Sequence, residues 1–152
     1  MHGEFGAFFS NPVFWAGFCG WMLASLLKMV SNLRRTRKID FQYLVALGGM
    51  PSAHSAMVSG LATAAGIQNG FGSTLFVITL AFAVVVMFDA STVRRATGQQ
   101  ARLLNQIVDQ IFKEHHLSTQ KLREILGHTR TEVFAGMIVG IASGVLVSLV
   151  GR

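Results

Sequence analysis

From Pro51 to Phe88 the chain carries no Asp, Glu, Lys or Arg, and His54 is its one ionisable side chain. A soluble domain cannot keep so long a stretch free of charge, because about a quarter of its residues are normally charged. Here the whole chain is 13% charged and 51% hydrophobic, and its charges are bunched between apolar runs. The segment Gly48-Gly49-Met50-Pro51-Ser52-Ala53-His54-Ser55 lies where a basic loop enters this apolar stretch. An ionisable group at a membrane edge is a functional candidate by default.

Four apolar runs can span a bilayer whose core asks for about 20 helical residues. They are Val13 to Val30, Pro51 to Ile67, Phe71 to Phe88 and Val133 to Val150, with Gln68-Asn69-Gly70 as the turn between the second and third. The second is rich in small residues and only moderately apolar, so it is expected to lie among the others. Between spans three and four, Val93 to Phe112 places Leu103, Leu104, Ile107, Val108 and Ile111 at helical spacing. That pattern predicts an amphipathic helix on the membrane surface. A loop over 113–120 and a short helix over 119–126 follow. The expected fold is all-α, an integral membrane helical bundle of about four transmembrane helices plus a cytoplasmic amphipathic helix, in a single domain over residues 1–152.

Eleven of the thirteen Lys and Arg residues fall in the two loops after spans one and three. The positive-inside bias puts both loops in the cytoplasm and both termini outside, in an inner or plasma membrane. The same clustering makes the net charge of +6 a topology signal rather than a nucleic-acid footprint. No Lys or Arg precedes the first apolar run, which therefore reads as a retained span rather than a cleaved leader. With one cysteine, Cys19, no intramolecular disulfide can form. Gly136, Gly140 and Gly144 recur every four residues in the last span, and Gly60 and Ala64 do so in the second. Such faces let helix backbones approach closely. They allow either a homodimer or packing within one chain.

The topology gathers polar residues at one membrane face. Lys28 ends span one, Ser52 and His54 begin span two, and Asp89 ends span three. Arg94 and Arg95 follow at once, and His128 and Glu132 open span four. Taken singly, Lys28 reads as a snorkelling side chain and the Arg pair as topology signals. Taken together they suit phosphoryl transfer. A helix N-terminus is a ready anion site, Pro51 fits a first helical turn, and Ser52 adds a hydroxyl donor. Lys28 and an Arg would neutralise the remaining phosphate oxygens. Two His residues would supply a nucleophile and an acid. His128 and Glu132 are four apart and share a helix face, so the carboxylate can fix one ring nitrogen and leave the other nucleophilic.

This arrangement resembles the type 2 phosphatidic acid phosphatase superfamily, which includes vanadium-dependent haloperoxidases, and in particular its divergent branch. Pro51-Ser52-Ala53-His54 matches the superfamily's Pro-Ser-Gly-His motif with Ala for Gly. Gly127-His128 followed by Glu132 resembles the third motif with Glu for Asp. Lys28 and Arg35 keep the first motif's spacing, with Thr36 where Pro belongs. The third-motif Arg is displaced, since Leu122 stands six before His128; Arg123, Arg94 and Arg95 are the alternatives.

The resemblance implies that His128 attacks phosphorus, that His54 protonates the leaving alkoxide, and that water then releases phosphate. No cofactor is required, although Asp89 and Glu132 leave a magnesium site open. The expected function is a lipid phosphatase cleaving a phosphomonoester at the cytoplasmic leaflet, phosphatidylglycerophosphate or phosphatidic acid. Its partners would be the phospholipid substrate and the membrane, without nucleic acid. The alternative is a non-catalytic membrane protein that binds anionic lipid or assembles through its Gly-rich helices. The two-His scheme predicts a bell-shaped pH profile, because one ring must be neutral while the other is protonated.

Overall fold

The structure is a computed structural model that describes residues 2–37, 49–112 and 127–151, apart from the side chains of 2–5, Arg35, Arg94 and 109–112. The loop over 113–120, the helix over 119–126 and the candidate Arg123 lie outside the described residues. Among the described residues six helices follow in order: α1 (His2–Phe9), α2 (Pro12–Thr36), α3 (Ala53–Asn69), α4 (Thr74–Ser91), α5 (Val93–Phe112) and α6 (Arg130–Val150).

Local chemistry sets their limits. The apolar N-terminal run divides into two helices because Asn11 caps α2, its side chain accepting from the Val13 N–H at 2.9 Å, with Pro12 in the first turn. Pro has no N–H to continue α1 but suits a helix start. The turn expected at 68–70 is present: α3 ends at Asn69, and Gly70 takes φ 87°, a conformation that favours glycine. Ser73 then caps α4, accepting from the Phe76 N–H at 3.2 Å.

Among the described residues, three stretches are long and apolar enough to cross a membrane: Pro12–Arg34, Thr74–Val108 and Arg130–Val150, the second running from α4 into α5. α3 has 17 residues, about 26 Å at 1.5 Å per residue, slightly short of a ~30 Å hydrocarbon core. It is enclosed, packing against α2, α4 and α6, and ten of its residues are buried. α4 turns Val77, Ile78, Phe82 and Val85 outward, as a lipid-facing helix does. α5 has the bounds that its periodicity predicts. Its buried side carries Gly98 and Asn105, while Leu103, Leu104 and Ile107 stay exposed. A soluble amphipathic helix does the reverse, so the apolar stripe is turned toward lipid.

The core is built from small residues. Gly136 lies against the Ser52 carbonyl and Gly140 against the Ala56 carbonyl, and a Cβ on Gly144 would stand 2.9 Å from the Gly60 carbonyl. Where α2 meets α3, a Cβ on Gly60 would stand 2.6 Å from the Ala16 carbonyl, and one on Gly20 2.8 Å from the same Ala56 carbonyl that Gly140 meets. Ser143 Oγ adds a bond across helices to the Ala16 carbonyl at 3.1 Å. The α6 glycine stripe is thus covered by α3 of the same chain. Gly140→Ala is expected to lower stability by about 1–3 kcal/mol through overpacking. Gly72→Ala, where no atom lies within 4 Å of the added Cβ, should leave it nearly unchanged. Thermal unfolding of the two variants in detergent checks the contrast.

Candidate functional site

α6 begins at a capping box. Thr129 Oγ1 accepts from the Glu132 N–H at 3.3 Å, and Glu132 Oε2 accepts from the Thr129 N–H at 2.9 Å. The same Oε2 lies 3.1 Å from Nδ1 of His128. A carboxylate only accepts, so this pairing puts a hydrogen on Nδ1, and in the neutral ring Nε2 then has the lone pair. His128 is 7% exposed. Its backbone N–H bonds the Ala90 carbonyl at 3.1 Å, which ties the start of α6 to the end of α4.

The start of α3 meets the same place. The Ser52 N–H donates to the Glu132 carbonyl at 3.0 Å. Ser52 is fully buried and caps α3, its Oγ accepting from the Ser55 N–H at 3.4 Å and from Ser55 Oγ at 3.0 Å. From α2, Lys28 is 4% exposed and runs beneath the turn before Ser52. Gly49, at φ 89°, allows this, because a Cβ there would stand 3.0 Å from Lys28 Cδ. The charge of Glu132 acts on the Lys28 ammonium. Three helix ends, the start of α3, the end of α4 and the start of α6, therefore converge beside Lys28 of α2 at the basic end of the bundle, bringing Lys28, Ser52, His128 and Glu132 together.

The remaining candidates stand further out. His54 is exposed, about half a turn around α3 from Ser52. Asp89 is half-buried, one residue before the Ala90 carbonyl that holds His128. Arg95 is exposed on α5. Among the described residues no group of three or more His, Cys, Asp or Glu side chains gathers around a common point.

Sequence reasoning missed four contributors. Thr129 carries a capping signal with Glu132 that pattern reading can find. Gly49 has no such signal, since its role depends on Lys28 crossing it. Ser55 is legible only once Ser52 is known to be a cap. Ser25 lies one turn from Lys28 on α2, is fully buried, and has no hydrogen-bond partner for its Oγ among the described residues. A buried hydroxyl without a partner asks for an explanation, and nothing in an apolar helical run marks it in advance.

Residues 9–143 match the profile of the family described as the Divergent PAP2 family. YuiD of Bacillus subtilis (strain 168), described as an uncharacterized membrane protein, is 37% identical over 131 residues, which cover 79% of this chain and 83% of the relative. No solved structure matches the chain. With the long apolar helices, these likenesses make the chain an integral membrane protein.

Glu132 serves both as cap and as partner of His128, and two substitutions separate the roles. Thr129→Ala is expected to cost about 1 kcal/mol of stability through the lost cap. Glu132→Gln should cost less, because the amide oxygen can still accept from the Thr129 N–H. It nevertheless removes the carboxylate that holds Nδ1. Unfolding midpoints, read beside the tautomer of His128 by nitrogen NMR, check both expectations.

Proposed function

The chain belongs to the divergent PAP2 family, and on that premise we propose that it is a membrane phosphatase that hydrolyses a lipid phosphomonoester through a phosphohistidine intermediate. One observation carries the reading: a buried His128, with Nδ1 on the Glu132 carboxylate, stands in the same cluster as the buried cation Lys28. Charge is costly to bury without a partner, and this set suits an anionic group better than it suits an apolar core.

In the proposed reaction Nε2 of His128 attacks phosphorus and the bond to the alkoxide oxygen breaks. The alkoxide takes a proton from His54. Water, giving its proton back to His54, then attacks the phosphoryl group and releases phosphate from nitrogen. Lys28 and the Ser52 end of α3 would neutralise the non-bridging oxygens, with Arg94 or Arg95 as further contacts. His54 lies on the exposed face of α3, so its role as acid requires the leaving oxygen to lie on that side. The basic loops favour the cytoplasmic leaflet, and with it phosphatidylglycerophosphate or phosphatidic acid as substrate. The alternative, a non-catalytic membrane protein that binds anionic lipid or assembles through its Gly-rich helices, is less favoured in its assembly form, since α3 lies against the α6 glycines.

Phosphate release by the purified chain in detergent, from a panel of lipid phosphates, tests the proposal. His128→Ala should abolish release, while His54→Ala should slow it by about 10²–10⁴-fold, the usual worth of a general acid. With an aryl phosphate, whose leaving group needs no proton, His54→Ala should be nearly silent and His128→Ala still inactive. A parallel chelator arm asks whether Asp89 and Glu132 take part in a metal site. No release from any lipid phosphate would sink the phosphatase reading.

A further inference from the structure

Two apolar recesses lie at opposite ends of the bundle. One, of about 480 Å³, is framed by Phe9, Trp15 and Val150, and no charged residue lines it. Nothing there selects one lipid over another. The second, of about 410 Å³, runs between α4 and α6. Met87, Phe88 and Ser91 form its α4 wall, and Arg130, Phe134 and Met137 its α6 wall.

The second recess has a direction. α4 and α6 touch only lightly along their length, yet the His128 N–H pins them together at the Ala90 carbonyl. The result is a groove whose two walls are joined at the basic end, next to Ser91 and Arg130, and part below it toward lipid. Its floor is Met87, which packs on Val58 and Ala62 of α3 and accepts a long bond from Ser59 Oγ to sulfur at 3.8 Å. Its rim is apolar, with Phe88 and Phe134 exposed. From Arg130 to Met137 the groove is two helical turns deep, about 10 Å. At its mouth Ser91 Oγ is turned back to the Met87 carbonyl at 3.0 Å, so the charge presented there by its lining is that of Arg130. Arg130 lies two residues after His128, and Ser91 one residue after Ala90.

We propose that this α4–α6 groove holds an acyl chain of a phosphate-bearing lipid, with Arg130 at its mouth meeting the phosphate headgroup. The inference rests on the phosphatase reading for its substrate class, and it adds where the chain of that substrate lies. An acyl chain suits a slot open to the bilayer on one side, and Arg130, two residues from His128 in sequence, gives the anionic end a partner. The groove thus orients the lipid with its headgroup at the cluster and its chain along α6.

The test uses the full-length chain in nanodiscs and a phosphatidic acid with a diazirine in one acyl chain. Crosslinks are expected to concentrate on the Met87–Phe88 and Phe134–Met137 peptides. Excess unlabelled phosphatidic acid should suppress them, and phosphatidylcholine should not. Met137→Trp, which fills the groove, should reduce them about tenfold. Met87→Trp does so from the opposite wall, should the first variant fail to fold, and size-exclusion profiles establish which variants are intact. Arg130→Gln should erase the preference for phosphatidic acid over phosphatidylcholine while leaving the groove peptides labelled. Labelling spread over Val77, Ile78, Leu146 and Leu149 in proportion to their exposure would mean ordinary boundary lipid and overturn the proposal, as would labelling unchanged in an intact Trp variant. Phosphate release measured in parallel keeps the readings apart. Selective labelling without hydrolysis removes the phosphatase and keeps the groove, and hydrolysis with diffuse labelling does the opposite.

Discussion

Close approach of backbones around α3 is the constraint on which everything else rests. In lipid there is little hydrophobic drive between helices, so packing and interhelical hydrogen bonds must hold them. Here Gly136, Gly140 and Gly144 of α6 lie on the carbonyls of Ser52, Ala56 and Gly60, while Gly20 and Ala16 of α2 meet α3 at Ala56 and Gly60 as well. Larger side chains would push the helices apart by ångströms. The Ser52 N–H could then no longer reach the Glu132 carbonyl at 3.0 Å, and the ends of α3 and α6 would separate. The polar cluster exists because the bundle beneath it has almost no side-chain bulk.

At the cluster, one carboxylate answers several needs. Glu132 completes the cap of α6, holds Nδ1 of His128, and supplies negative charge near Lys28. Its backbone carbonyl meanwhile takes the N–H of Ser52. A capping Glu would ordinarily be the bland explanation, and it is a true one. Yet a cap alone does not require a buried His on the same oxygen or a buried Lys beside it. Three ionisable groups in one largely dry place have to satisfy each other, and this makes their geometry stiff.

The amphipathic helix shows how a membrane changes familiar logic. α5 was legible from its period of apolar residues, and its limits agree with that reading. Periodicity says which residues share a face; it does not say whether protein or lipid covers it. Gly98 and Asn105 are the buried side of α5, and Leu103, Leu104 and Ile107 are the exposed one. Only packing reveals that assignment. The single turn expected between the second and third spans, by contrast, was readable from Asn69-Gly70, because a positive φ there calls for glycine.

By itself the sequence determined the solvent, the helices and the set of reactive groups. Uncharged runs of bilayer length, loop charge, and the Pro51–Ser52 and His128–Glu132 spacings are local properties, and local properties survive without a fold. The enclosure of α3, the division of the N-terminal run at Asn11 into α1 and α2, and the burial of Ser25 were decided by neighbours distant in sequence or by capping geometry. So was the difference between the two histidines. Both open a helix at the basic end, and nothing in composition separates them. His128 is buried because its N–H reaches Ala90 and its ring reaches Glu132, while His54 falls half a turn away from the face of α3 that meets α6. A helical wheel places a residue on a face; only the tertiary structure says which helix that face will meet.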